Sequence, residues 1–168
     1  MPDEKQQGKV QIYTGCGKGK STAAFGLAMR AVGCGGKVFI IQFQKALRCG
    51  EHKSAEKLGI GLAQCPQGRG SGPCAAPCPL MTMAYGMLRD GDADLLILDE
   101  IMAAMRYGCV TQQEALALLD ARNEKTELVL TGRGAPAALI ERADLVTEMK
   151  KIKHYYDGGL LARRGIEY

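Results

Sequence analysis

Gly15-Cys16-Gly17-Lys18-Gly19-Lys20-Ser21 is the stretch that decides the fold. It follows the apolar run KVQIYT (9–14) and leads into STAAFGLAMRAVG (21–33), where Ala24, Leu27, Ala28 and Ala31 recur at helical spacing. Strand, glycine loop and helix in that order make a phosphate cradle. Glycines let successive backbone N–H groups turn inward onto phosphate oxygens, and the helix that follows offers its positive N-terminus. A Walker A loop reads G-x-x-x-x-G-K-[ST], and here the framing glycines stand one residue closer together. In this reading Lys20 sits over the terminal phosphates, the Ser21 hydroxyl completes a Mg²⁺ shell, and Lys18 adds a second positive charge inside the loop.

Outward from the loop, strand and helix alternate. GKVFIIQF (36–43) is a nearly continuous apolar run bounded by glycines, as expected of a strand covered on both faces. A helix over 51–58 and a short strand over 60–64 come next, followed by a Gly-, Pro- and Cys-rich loop from Cys65 to Pro79 and a helix near 81–88. ADLLILDE (93–100) reads as a buried strand. Thr111 with Glu114 three residues on is a capping box that starts another helix. TELVLTG (126–132) is a strand, a short helix follows Pro136, and ADLVTEMKKI (143–152) ends as a strand. No internal repeat and no linker divides the chain. This alternation predicts one α/β domain over 1–168, a mainly parallel sheet flanked by helices, with 65–79 as a loop insertion.

Two further pieces fit a nucleotide site. Asp99 and Glu100 close LLILDE at the carboxyl end of a buried strand, where the acid of a nucleotide-bound Mg²⁺ belongs. Arg133, in TGRG, stands just past a later strand on the same side, where it either neutralises phosphate or caps the strand. These residues alone say that the chain binds a nucleoside triphosphate with Mg²⁺. A P-loop ATPase, a kinase and a non-catalytic nucleotide sensor all remain open at this point.

Composition narrows the classes. The 168 residues suit one domain with a real core, and 46% hydrophobic with 24% charged residues excludes disorder. No apolar run approaches the roughly 18 residues of a membrane span. MPDEKQQGKV lacks the apolar stretch of a signal peptide, so a cytoplasmic location is expected. A net charge of +4 is too mild for nucleic acid but suits a polyanionic ligand, and 5% aromatics without Trp argue against a base-stacking surface.

Seven cysteines are an odd number and below the roughly 8–10% of a disulfide scaffold. Cys34 and Cys109, beside glycines at element ends, read as small structural thiols. Cys65, Cys74 and Cys78 share one loop, with Cys49 and His52 upstream as partners. Their C-x₈-C-x₃-C spacing matches no standard zinc or iron–sulfur signature, so two readings stand: free thiols in a Gly/Pro loop, or a Zn or Fe–S site.

Taken together, YTGCGKGKSTAAFGLAMRAVG, VFIIQF, LLILDE, LVLTGRGAP and ADLVTEM…KHYYDGG…GIEY resemble the P-loop ATP:corrinoid adenosyltransferases. The shortened glycine loop, the late TGRG and the closing KH-x-x-D-x-G and G-I-[ED]-Y pattern are the specific features, and the match runs from about Gly8 to Tyr168. The resemblance implies a three-layer RecA-like fold and a homodimer. It implies transfer of the 5′-deoxyadenosyl group of ATP to the Co(I) of cobalamin or a precursor corrinoid, with release of triphosphate. Reduced cobalt is itself the nucleophile at the ribose C5′, so the protein has to supply alignment and charge neutralisation on the leaving triphosphate. By resemblance Gly15 to Ser21, with Thr22 beside them, hold the triphosphate; Ser21 with Glu100 or Asp99 holds Mg²⁺; and Lys20 and Arg133 assist. A flavodoxin-like or other reductant is the implied partner. The chain departs from the family after the third strand. CPQGRGSGPCAAPCPLM (65–81) replaces an aromatic-rich G-x-G-F-T-W stretch, and the family's N-terminal extension is nearly absent. On the metal-site reading of Cys65, Cys74 and Cys78, a cluster in that loop would lie beside the cobalt and assist its reduction.

Overall fold

The computed structural model describes residues 7–68 and 77–168. Six strands form one sheet: β1 (Val10–Thr14), β2 (Val38–Gln42), β3 (Gly61–Gln64), β4 (Leu95–Asp99), β5 (Glu127–Thr131) and β6 (Leu145–Glu148). Their spatial order is β3-β2-β4-β5-β1-β6, and every pairing is parallel. The helices are α1 (Lys20–Gly33), α2 (Gly50–Lys57), α3 (Pro79–Asp90), α4 (Ile101–Arg106), α5 (Gln112–Ala121) and α6 (Ala137–Arg142), and a 3₁₀ turn follows at Tyr155–Gly158. Among the described residues, no helix is long and apolar enough to cross a membrane.

The central strands are apolar on both faces because helices cover both faces, and the period-2 alternation divides the core into two layers. Ile12, Ile41, Leu96, Leu98, Leu128 and Leu130 pack against α3 and α5, through residues such as Ala84, Leu88, Ala115 and Leu118. Val38, Ile40, Leu95, Ile97 and Val129 face Ala24 and Ala28 of α1. Alanines at those two α1 positions let the helix lie close to the sheet, so its N-terminus comes down onto the strand ends.

Sequence-based bounds hold to within one to three residues for most elements. α3 starts two residues earlier than expected, because Pro79 takes the first helical position, where its missing N–H costs nothing. The Thr111–Glu114 capping box is present in both directions, with Glu114 N donating to Thr111 Oγ1 at 3.1 Å and Thr111 N donating to Glu114 Oε2 at 2.7 Å. Two elements escaped the sequence reading. α4 is a six-residue helix that begins directly after Glu100, and the 3₁₀ turn lies in the closing segment. The closing strand is also shorter than expected: pairing stops at Glu148, and the chain then turns back across the carboxyl end of the sheet.

Candidate active site

The strand register places a polar residue at the carboxyl end of each of β2, β4 and β5 on the face covered by α1. Val38, Ile40 and Gln42 share that face on β2; Leu95, Ile97 and Asp99 share it on β4; Val129 and Thr131 share it on β5. Gln42 pairs with Asp99, and Leu98 pairs with Leu130, so Asp99 lies level with Thr131. Asp99 is fully buried and accepts three side-chain hydrogen bonds there: from Ser21 Oγ at 2.8 Å, Thr131 Oγ1 at 2.7 Å and Gln42 Nε2 at 2.9 Å. Ser21, in the first turn of α1, and Asp99, at the end of β4, are thereby brought together. Glu100, the other predicted acid, takes the left-handed conformation (φ 60°), and its N–H donates to Thr131 Oγ1 at 3.0 Å. That bend carries the chain off the sheet and into α4.

The glycine loop needs its glycines for room as well as for conformation. Gly15 (φ 98°) and Gly19 (φ 120°) occupy left-handed space. A Cβ on Gly15 would lie 2.5 Å from the Met149 carbonyl oxygen, and one on Gly17 would lie 2.7 Å from it. The loop leans on the chain leaving β6: Gly17 N donates to Met149 O at 2.7 Å, and Met149 N donates to Thr14 O at 2.8 Å. Lys20 is buried, with Nζ 2.8 Å from the Gly15 carbonyl and 2.7 Å from that of Gly17. Its ammonium therefore sits inside the curve of the loop. Gly19 caps α1, and the first turn of that helix holds no acidic side chain of its own; the negative charge at this helix end comes from Asp99, through Ser21.

Lys18 points elsewhere. Its ammonium meets the closing segment, 2.9 Å from Glu167 Oε1, 3.0 Å from the Tyr155 hydroxyl and 3.3 Å from the Ile166 carbonyl oxygen. These groups line one open cleft of about 1330 Å³, together with Cys16, Thr22, Asp99, Glu100 and Arg133. Arg133 is exposed, two residues past the end of β5. The cleft lies outside the carboxyl ends of the strands, where ligands of parallel α/β sheets bind. Sequence reasoning had missed Gln42, Thr131, Tyr155 and Glu167. The alternation of each strand, carried two residues past its last buried apolar position, points to the first two.

Cys65 and Cys78 are buried, Cys78 in the core at the start of α3, and Cys74 lies outside the described residues. Cys16 and Cys34 are exposed, and Cys109 accepts from Gln44 Nε2 at 2.9 Å. Among the described residues, metal-ligand atoms gather at Cys49, Glu51 and His52, within 4.8 Å of one another. Those atoms already have local work. Glu51 is ion-paired with Lys45, and His52 Nδ1 accepts from the Cys49 N–H at 2.8 Å, which caps α2. Burial holds the His52 imidazole below its ordinary range and pushes the Cys49 thiol up. For Glu51 burial acts upward, but its bond to Lys45 and the neighbouring charges outweigh it and bring the carboxyl down.

Comparison with known proteins agrees with this geometry. The chain matches the family model described as ATP:corrinoid adenosyltransferase BtuR/CobO/CobP over residues 6–168. It is 36% identical over 173 residues to the corrinoid adenosyltransferase of Escherichia coli (strain K12), covering 98% of this chain and 88% of that protein. It is 38% identical over 178 residues to the corrinoid adenosyltransferase of Sinorhizobium sp, covering 99% and 82%. Among solved structures it is similar to the KaiC-like protein PH0186 of Pyrococcus horikoshii OT3, with a TM-score of 0.59 and 16% identity over 88% of this chain and 75% of that one. That likeness concerns the fold alone, a three-layer RecA-like sheet flanked by helices. With the shortened glycine loop, the acid at the end of β4 and a full-length family match in agreement, the chain belongs to the ATP:corrinoid adenosyltransferase family.

Proposed function

We propose that this protein transfers the 5′-deoxyadenosyl group of ATP to the Co(I) centre of a corrinoid and releases triphosphate. The observation that carries the reading is the compressed Gly15–Ser21 loop, backed by Met149 and facing Asp99 across the mouth of α1, in a chain that matches the family over residues 6–168. The cobalt electron pair forms the Co–C5′ bond while the C5′–O bond breaks and its electrons leave with the triphosphate. No proton has to be removed from the nucleophile, so the site needs no general base. What the chain supplies is placement of C5′ and neutralisation of a departing polyanion.

In this reading the loop N–H groups and Lys20 hold the phosphates, Lys18 and Arg133 reach them from the rim, and the N-terminus of α1 adds its partial charge. In the same reading Ser21, Asp99 and Glu100, which all line the cleft, would hold a hard divalent cation such as Mg²⁺, since a hydroxyl and carboxylates are the oxygen donors such an ion takes and phosphate oxygens and water would complete the shell. Bound there, Mg²⁺ supplies further charge stabilisation to the leaving group. A homodimer and a flavodoxin-like or other reductant belong to the same proposal, on the family resemblance.

The test is incubation with ATP, Mg²⁺ and chemically reduced cobalamin. A light-sensitive Co–C absorption spectrum is the expected result, and loss of most of it in Lys20→Ala assigns the loop. ADP formation without a Co–C bond would instead favour an ATPase or kinase.

A further inference from the structure

The closing G-I-E-Y carries the family likeness, yet nothing in the transfer chemistry requires an acid there, beside a loop built to hold anions. The structure gives it a place. Glu167 Oε1 bonds to Lys18 Nζ at 2.9 Å and to the Tyr155 hydroxyl, and the Arg163 guanidinium lies 3.3 Å from it. Arg163 N donates to Glu167 Oε2 at 2.7 Å, closing the last turn of the chain on itself. Two cations lie over the Tyr155 ring, the Lys18 ammonium 5.7 Å and the Arg163 carbon 4.9 Å from its centre. Lys151 pairs with Asp157 at 2.9 Å and fixes the 3₁₀ turn that presents Tyr155. The closing segment is thus fastened to the loop through the ammonium of Lys18, and Ile152, Leu161 and Ile166 on it stay exposed.

We infer that Glu167 is an internal counter-anion for the phosphate loop: it holds the Lys18 ammonium, gives it up to the polyphosphate of the nucleotide, and takes it back as triphosphate leaves. This rests on the reading of the loop as the triphosphate site. The chemistry favours exchange over shared contact. Lys18 has three N–H donors, and three acceptors of the closing segment already lie within 3.3 Å of it. A carboxylate beside a bound polyphosphate is repelled by it. When the lysine turns to phosphate, Glu167 keeps Arg163 and Tyr155, so the closing segment holds its own turn while it lifts from the loop. Glu167 therefore acts as a positioning residue, through Lys18.

Binding of inorganic tripolyphosphate, measured by calorimetry at low salt on the full chain, tests this. Glu167→Gln, which keeps an acceptor for Arg163 N but not the charge, is expected to bind tripolyphosphate about two- to fivefold more tightly, the range an exposed ion pair supports. The gain shrinks at high salt and disappears in a Lys18→Ala background, where binding is weaker overall. Hydrogen exchange of the amides of residues 155–167 in the wild-type chain is expected to speed up when tripolyphosphate is added. Unchanged or weaker binding by Glu167→Gln, with corrinoid adenosylation intact in the wild type, overturns this inference and leaves the proposed function standing. Failure of the wild-type chain to bind tripolyphosphate overturns both.

Discussion

Replacing Asp99 separates the part of the site that holds the fold together from the part that does chemistry. The carboxylate is fully buried and accepts from Ser21 Oγ, Thr131 Oγ1 and Gln42 Nε2, at 2.7 to 2.9 Å. Asp99→Ala leaves three donors without their acceptor, and each buried group left unpaired costs about 1–3 kcal/mol. The two hydroxyls can rotate toward other acceptors, whereas the buried Gln42 amide has less freedom, so a net loss of about 2–4 kcal/mol is expected. Asp99→Asn behaves differently. Among the described residues, Gln42 Oε1 is buried without a partner. A half-turn of the Gln42 amide therefore offers an acceptor to the new NH₂ group, while both hydroxyls still find the remaining carbonyl oxygen. That variant should lose about 1 kcal/mol or less. Urea unfolding resolves the two, since with a slope of about 2 kcal/mol per molar the alanine variant shifts the midpoint by about 1–2 M. Adenosyl transfer should fall steeply in both, because both remove the carboxylate that faces Ser21. Equal destabilisation by alanine and asparagine would refute the hydrogen-bond reasoning, and an asparagine variant with full activity would remove Asp99 from the metal-binding set.

Gly15→Ala places a Cβ 2.5 Å from the Met149 carbonyl at a φ of 98°, so it should cost about 1–3 kcal/mol and weaken nucleotide binding; wild-type affinity by calorimetry would contradict this. Thr111→Ala removes one half of the α5 capping box and should lower stability by about 1 kcal/mol without changing turnover, as thermal unfolding and a corrinoid assay would record. His52 is held below its ordinary value of 6.5 by burial, so the unfolded chain takes up its proton more readily than the folded one. Stability should therefore fall as the pH is lowered through 6.5, and His52→Asn should flatten that slope; an identical slope in the variant refutes the assignment.

Much of the fold was legible because its signals are local. The order of KVQIYT, glycine loop and alanine-rich helix needs no tertiary information, and Thr111 with Glu114 announces α5 by itself. α4 escaped because six residues beginning with a left-handed Glu100 carry too little periodicity to separate from the strand before them. Lys20, Ser21 and Asp99 stand out as candidates by type and spacing, and the structure brings Ser21 and Asp99 together. Lys18 was read as part of the loop interior, yet its side chain turns to Glu167, 149 residues away. A contact at that separation leaves no trace in local pattern. Gln42 and Thr131 were hidden for a different reason: each closes an apolar strand and passes for a boundary residue until the parallel register sets both beside Asp99.

The most direct test of the whole account is the phosphorus NMR spectrum of a reaction containing ATP, Mg²⁺ and a Co(I) corrinoid. One intact triphosphate should appear for each adenosylated corrinoid, with no ADP. A spectrum of ADP and orthophosphate would contradict the account, because it places bond breaking at the terminal phosphate and not at the ribose carbon.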